Sequence, residues 1–125
     1  MAGVRRFQDL VAWQLCVEQC DVIVAITENG RAASDQEFRE QIRRAAKKAP
    51  ALIAEGFLRY TPAEFVRYLR MARGEIGEVQ NHLEFGRRQR YFTPEQIQQA
   101  TTISNRAMAA TSKLLKSKLP KVKCG

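Results

Sequence analysis

Residues 65–83 carry the feature that most narrows the fold. Phe65, Leu69, Ala72, Ile76, Val79 and Leu83 follow one another at alternating spacings of four and three. That rhythm keeps all six on one side of an α-helix and is the seam of a bundle or coiled coil. A strand would need apolar residues at every second position, and no stretch of this chain alternates in that way. The start of the helix is signalled by Thr61-Pro62-Ala63-Glu64. There the Thr hydroxyl can accept from the amide three residues on, and Pro sits at the first helical position, where a missing donor costs nothing. Thr93-Pro94-Glu95-Gln96 repeats the device, and Ser34-Asp35-Gln36-Glu37 reads as a capping box with Ser34 as the cap.

These signals predict four helices, over about 8–27, 35–57, 62–88 and 94–117, with residues 118–125 a flexible basic tail. In the first, Leu10, Trp13, Val17, Cys20 and Val24 form one apolar stripe and Val11, Leu15, Val22 and Ile26 a second. An arc that wide suggests burial on two sides. Asn29-Gly30 reads as its stop. In the second, Ile42, Ala45, Ala46, Ala49, Ile53 and Gly56 share a face opposite Arg43, Arg44, Lys47 and Lys48, and Pro50 should bend the helix because it cannot donate to Ala46. Gly74 and Gly77 each cost the third helix about 1 kcal/mol relative to Ala, which points to a close helix approach there. The last helix has a small, partly polar face of Ile97, Ala100, Thr101, Ser104, Met108, Thr111 and Leu115. Short connections make sequential helices antiparallel. The expected architecture is therefore all-α, one domain spanning 1–125: an antiparallel up-down-up-down four-helix bundle with its second helix kinked at Pro50.

Charge placement says more than charge size. The net charge is +8; residues 1–84 sum to zero, and residues 85–125 hold nine cations against Glu95 alone. Such asymmetry favours polyanion partners, nucleic acid first. No run approaches the roughly 18 apolar residues of a membrane span, and Arg5-Arg6 is not followed by an apolar leader core, so a cytoplasmic location and no membrane partner are expected. Three cysteines argue against a disulfide framework, and Cys16 and Cys20 read as buried or half-buried thiols.

No phosphate loop, nucleophile elbow or convergent ligand set appears, so neither enzyme activity nor a metal or cofactor is expected. Glu78 and His82 stand four apart, too few ligands for a stable site. Glu55 near a helix C-terminus calls for a cation, with Arg59 the simplest partner. Arg87-Arg88-Gln89-Arg90-Tyr91-Phe92 sets guanidiniums beside two rings that could stack on bases or simply pin the loop to the core.

Phe7-Gln8-Asp9-Leu10-Val11-Ala12-Trp13-Gln14, Gln41-Ile42-Arg43-Arg44-Ala45-Ala46, Pro50, Ile53-Ala54-Glu55-Gly56-Phe57, Glu64-Phe65 and Ala72-Arg73-Gly74, with Glu78 and Leu83, together resemble one known family. It comprises the four-helix-bundle proteins encoded in 23S rRNA intervening sequences, often labelled S23 ribosomal proteins. The resemblance implies a homo-oligomeric ring, typically a pentamer. A related group serves as accessory protein of diversity-generating retroelements. The family has no agreed catalytic residues, so none is carried over. The expectation is a non-catalytic oligomer that binds nucleic acid, RNA before DNA, with Arg43, Arg44, Lys47, Lys48, Arg87, Arg88, Arg90, Lys113, Lys116 and Lys118 as phosphate contacts. The alternative is a protein-interaction scaffold whose charge only keeps it soluble.

Overall fold

The computed structural model describes residues 3–59 and 61–122, and among these it is all-helical. A 3₁₀ turn at Phe7–Asp9 leads into α1 (Val11–Ile26). After it come α2 (Gly30–Ser34), α3 (Gln36–Phe57), α4 (Pro62–Arg88), α5 (Pro94–Lys118) and a closing 3₁₀ turn at Leu119–Lys121.

Local hydrogen bonds explain most boundaries. Thr61 Oγ1 accepts from the Glu64 amide at 3.2 Å to start α4. At α5 the box is reciprocal: Thr93 Oγ1 accepts from the Gln96 amide at 3.1 Å, and Gln96 Oε1 accepts from the Thr93 amide at 2.9 Å. At α3 the expected cap is off by one residue. Asp35 takes the role, its Oδ1 accepting from the Phe38 amide at 3.1 Å. Ser34 instead closes α2 and donates back to the Gly30 carbonyl at 3.2 Å. Asp caps as well as Ser, and Gly30 at φ +75° lets the chain start a helical turn directly after the Asn29 stop. Of the residues expected to form the tail, Leu119–Lys121 is a turn and Val122 packs against the core. Lys123 and Cys124 lie outside the described residues.

Each long helix packs against two others: α3 on α1 and α4, and α5 on α1 and α4. The whole predicted seam of α4 is buried, as is the whole predicted face of α3, Pro50 included. The buried residues form two clusters. One draws on Leu10, Cys16, Ile53, Phe65, Leu69, Ile76, Ala107 and Leu115, with Phe7, Phe57 and Val122 packed against it. The other draws on Ile23, Ile26, Phe38, Ile42, Val79, Leu83 and Ala100, with Tyr91 and Phe92 against it. Between them lie Gln19 of α1 and Ser104 of α5, both fully buried.

The reading of α1 is corrected. Its inward seam is Ala12, Cys16, Gln19, Ile23 and Ile26, between the two stripes that hydropathy picked out. Of the two stripes, only Leu10 and Ile26 are buried; Trp13, Val17, Leu15 and Val22 are half-buried and Val11 is 61% exposed. A polar Gln in mid-seam hid it. Gly74 and Gly77 also differ from expectation, since a Cβ built on either meets nothing within 4 Å. No close approach within the chain needs them. Gly74→Ala and Gly77→Ala should each raise stability by about 1 kcal/mol in urea melts, the helix propensity recovered; a loss would place another subunit against that face.

Candidate nucleic-acid interface

The α3 cations do not act alike. Arg43 is directed inward: its Nε donates to Thr27 Oγ1 at 2.8 Å and a terminal nitrogen donates to the Val24 carbonyl at 3.0 Å. Glu28 lies 3.7 Å away, and the side chain is only 23% exposed. It thereby shares the Val24 carbonyl, near the end of α1, with the Thr27 hydroxyl, which donates to it at 3.3 Å. Arg44, Lys47 and Lys48 are exposed. Arg44 and Lys48 line a groove of about 320 Å³ with Glu75, Glu78 and His82 of α4, so acids share their surroundings. Glu78 and His82 meet at 3.5 Å. Among the described residues no three His, Cys, Asp or Glu side chains converge as metal ligands.

At the end of α4, Arg87, Arg88 and Arg90 are all exposed. Arg87 grips Glu84 with two nitrogens at 3.0 and 2.8 Å, which holds the Glu84 carboxyl below its usual range and raises Arg87. Arg90 adopts φ 60°, turning the chain back so that the Tyr91 amide donates to the Gly86 carbonyl at 2.9 Å. The two rings serve the core. Tyr91 stands edge-on to Phe38 at 5.1 Å and donates its hydroxyl to Asp35 Oδ2 at 2.6 Å. That bond, followed by the Phe38 amide, lowers the Asp35 pKa, while Tyr91 is raised. Phe92 closes over Gly86, where a Cβ would come within 2.5 Å of its ring. Of the two roles open to these aromatics, pinning the loop is the one the geometry fills.

Lys113 and Lys116 are exposed, and Lys118 is half-buried with its Nζ 5.9 Å from the Phe65 ring centroid. Phe65 stands 22 residues before Arg87 on the same helix, about 33 Å of rise. Arg87, Arg88 and Arg90 thus lie far in space from Lys118, although all four belong to the same last third of the sequence. Sequence reasoning missed a third group. Arg59 and Arg67 flank the Tyr68 ring at 5.0 and 5.4 Å, and Arg59 also donates to the Tyr68 hydroxyl at 2.7 Å. Arg59 meets Glu55 at 2.9 Å, the pairing expected. The available signal was Arg67-Tyr68 beside an Arg one turn past the end of α3. Among the described residues, burial pushes the Cys16 thiol up to about 12, and Cys20 is raised by burial and by Asp21, with Lys47 and Arg43 opposing.

An all-helical chain with a two-cluster core and cations distributed over its described surface defines a small helical-bundle protein. The chain belongs to the 23S rRNA-intervening sequence protein family, whose model matches residues 8–113. Among solved structures it is similar to a protein of unknown function from the S23 ribosomal protein family of Bacteroides thetaiotaomicron. The two share 24% identity at a TM-score of 0.76, covering 85% of this chain and 99% of the other. No functionally curated protein matches it.

Proposed function

We propose that the protein is a non-catalytic homo-oligomer, a pentamer of up-and-down four-helix bundles with α3 bent at Pro50, that binds nucleic acid through phosphate contacts. The observation that carries the binding is the +8 charge together with exposed Lys47, Lys48, Arg70, Arg73, Lys113 and Lys116, which make no ion pair among the described residues. Free surface cations release counter-ions when they meet a phosphate backbone, which drives association. The family's description, as a protein of a 23S rRNA intervening sequence, favours RNA over DNA. Assembly is supported by the half-buried flanks of α1 and by an apolar groove of about 330 Å³ between α1 and α5, lined by Leu10, Val11, Ala110 and Leu114. Unfilled apolar surface of this kind marks a contact site.

Light scattering should return five times the 14.2 kDa chain mass. Anisotropy with a fluorescent RNA hairpin and a DNA duplex should show binding at about 50 mM salt that weakens about a thousandfold by about 300 mM, for about five phosphate contacts. Absence of binding to either at low salt would reject the nucleic-acid reading and favour a scaffold that docks protein through the α1/α5 groove.

A further inference from the structure

The two core clusters divide the surface charge very unequally. Residues 3–16, 49–76 and 107–122 surround the first cluster, and they carry ten cations against four anions. Residues 20–46 and 79–100 surround the second, and they carry seven cations against seven anions. The short stretches between hold three cations and two anions. One end of the molecule therefore bears +6 and the other is neutral. In sequence the surplus lies in the last third; in space it lies at the end where Phe7 and Val122 pack on the same cluster.

That convergence comes from the packing. Phe7, in the turn before α1, and Val122, after α5, lie against the same cluster as Leu10, Phe65 and Leu115. It brings Arg5 and Arg6 to the end that holds Lys113, Lys116, Lys118 and Lys121. Arg59, Arg67, Arg70 and Arg73 come from the α3–α4 side. Three of the four acids there already face a local cation: Asp9 with Arg6 at 3.4 Å, Glu55 with Arg59 at 2.9 Å, and Glu64 with Arg67 at 3.5 Å. Arg5, Arg70, Arg73, Lys113, Lys116 and Lys121 form no ion pair among the described residues. At the other end, Glu84 takes Arg87 and Glu28 faces Arg43, and Asp21, Asp35, Glu37, Glu40 and Glu95 add negative potential of their own.

We infer that the end of the bundle where Phe7 and Val122 pack together is the nucleic-acid phosphate surface, and that the Arg87–Arg90 end is not. This rests on the nucleic-acid reading above and assigns its location. Each cation that neutralises a phosphate releases counter-ions, cations already answered by nearby acids are less available for this, and the net potential of a surface steers the encounter. An end with seven charges of each sign offers no excess.

Two full-length variants that remove equal charge separate the ends. One carries Arg5→Gln, Lys113→Gln and Lys116→Gln; the other carries Arg31→Gln, Arg87→Gln and Arg88→Gln. All six side chains are exposed, and because Lys113 also lines the α1/α5 groove, thermal melts and light scattering check that both variants fold and assemble as the parent does. With a fluorescein-labelled RNA hairpin of about 30 nucleotides, titrated across about 50–300 mM salt, the first variant should lose at least about tenfold in affinity and its salt slope should fall by about 2. The second should stay within about twofold of the parent chain. Equal losses, or a larger loss in the second, would overturn the assignment while leaving nucleic-acid binding standing. A parent chain that fails to bind the hairpin at the lowest salt would remove the functional reading itself, and the assignment with it.

Discussion

Gly56→Ala should destabilise the protein by about 2 kcal/mol, one of the two largest effects expected of a single substitution in the core. A Cβ at Gly56 would stand 2.6 Å from the Tyr68 Cβ and 3.0 Å from Phe65 Cδ1. Carbon pairs sit best at about 3.5–4.0 Å, so a gap of about 1 Å must open. Tyr68 Cβ is bonded directly to the α4 backbone, so rotating a side chain cannot supply that gap. The α3–α4 pair itself must separate, against the Phe57–Phe65 edge contact at 6.1 Å and the Arg59–Tyr68 hydrogen bond at 2.7 Å. Overpacking of this kind costs about 3 kcal/mol at the upper end of its range, and the better helix propensity of Ala returns about 1 kcal/mol. A thermal midpoint about 8 °C below the parent is the expected reading. A midpoint equal to or above it would mean that the two helices approach less closely than described.

The opposite sign is expected at Gln19. Its amide is fully buried between the two core clusters, and neither its nitrogen nor its oxygen has a partner among the described residues. Ser104 Oγ, also fully buried at the junction of the clusters, is equally unpartnered. Each desolvated polar group left without a hydrogen bond costs about 1–3 kcal/mol. Gln19→Leu removes two such groups and keeps nearly the same volume, so a gain of about 2 kcal/mol is expected in denaturant melts. Gln19→Ala tests the packing side of the argument: it removes the same groups and leaves a hole, and should fall well below the Leu variant. Destabilisation by Leu would show that the amide is hydrogen-bonded in solution. The Gln19→Leu chain should also be sized by light scattering. A single polar layer inside a bundle is a device for fixing register and copy number, and a mixture of sizes would assign it that role.

The two substitutions mark where reading the chain as a string succeeds and where it stops. The α3 face ending at Gly56 was legible because helix periodicity is local: residues three and four apart share a side whatever lies opposite. The tight approach at Gly56 was not, since it depends on Tyr68 across the α3–α4 turn; the glycines that drew attention instead, Gly74 and Gly77, are open. Gln19 shows the same limit in reverse. A buried polar residue breaks the hydropathy pattern that defines a seam, so the stripes beside it looked like the buried face of α1. Among the proposed contacts, Arg44, Lys47, Lys48, Arg87, Arg88, Arg90, Lys113 and Lys116 are exposed, while Arg43 is tied to Val24 and Thr27. Nothing near Arg43 in sequence distinguishes it from Arg44. The end of a different helix does.

The amino-acid sequence by itself determined the helical class, the starts of α4 and α5 to the residue, the buried faces of α3 and α4, and the family. All of these follow from interactions within a few positions along the chain: caps, Pro and Gly punctuation, and the helical repeat. Only the tertiary structure decided which side of α1 turns inward, which arginine serves the fold, and how Phe7 and Val122 come to share one end. It also decided that Arg87 and Arg88 at the end of α4, and Arg90 just beyond, would share one end of the bundle with acids drawn from α1, α3 and α5. Burial and net surface charge are sums over neighbours in space, and this fold draws those neighbours from segments up to about a hundred residues apart, as the 95 residues separating Cys16 from Thr111 illustrate.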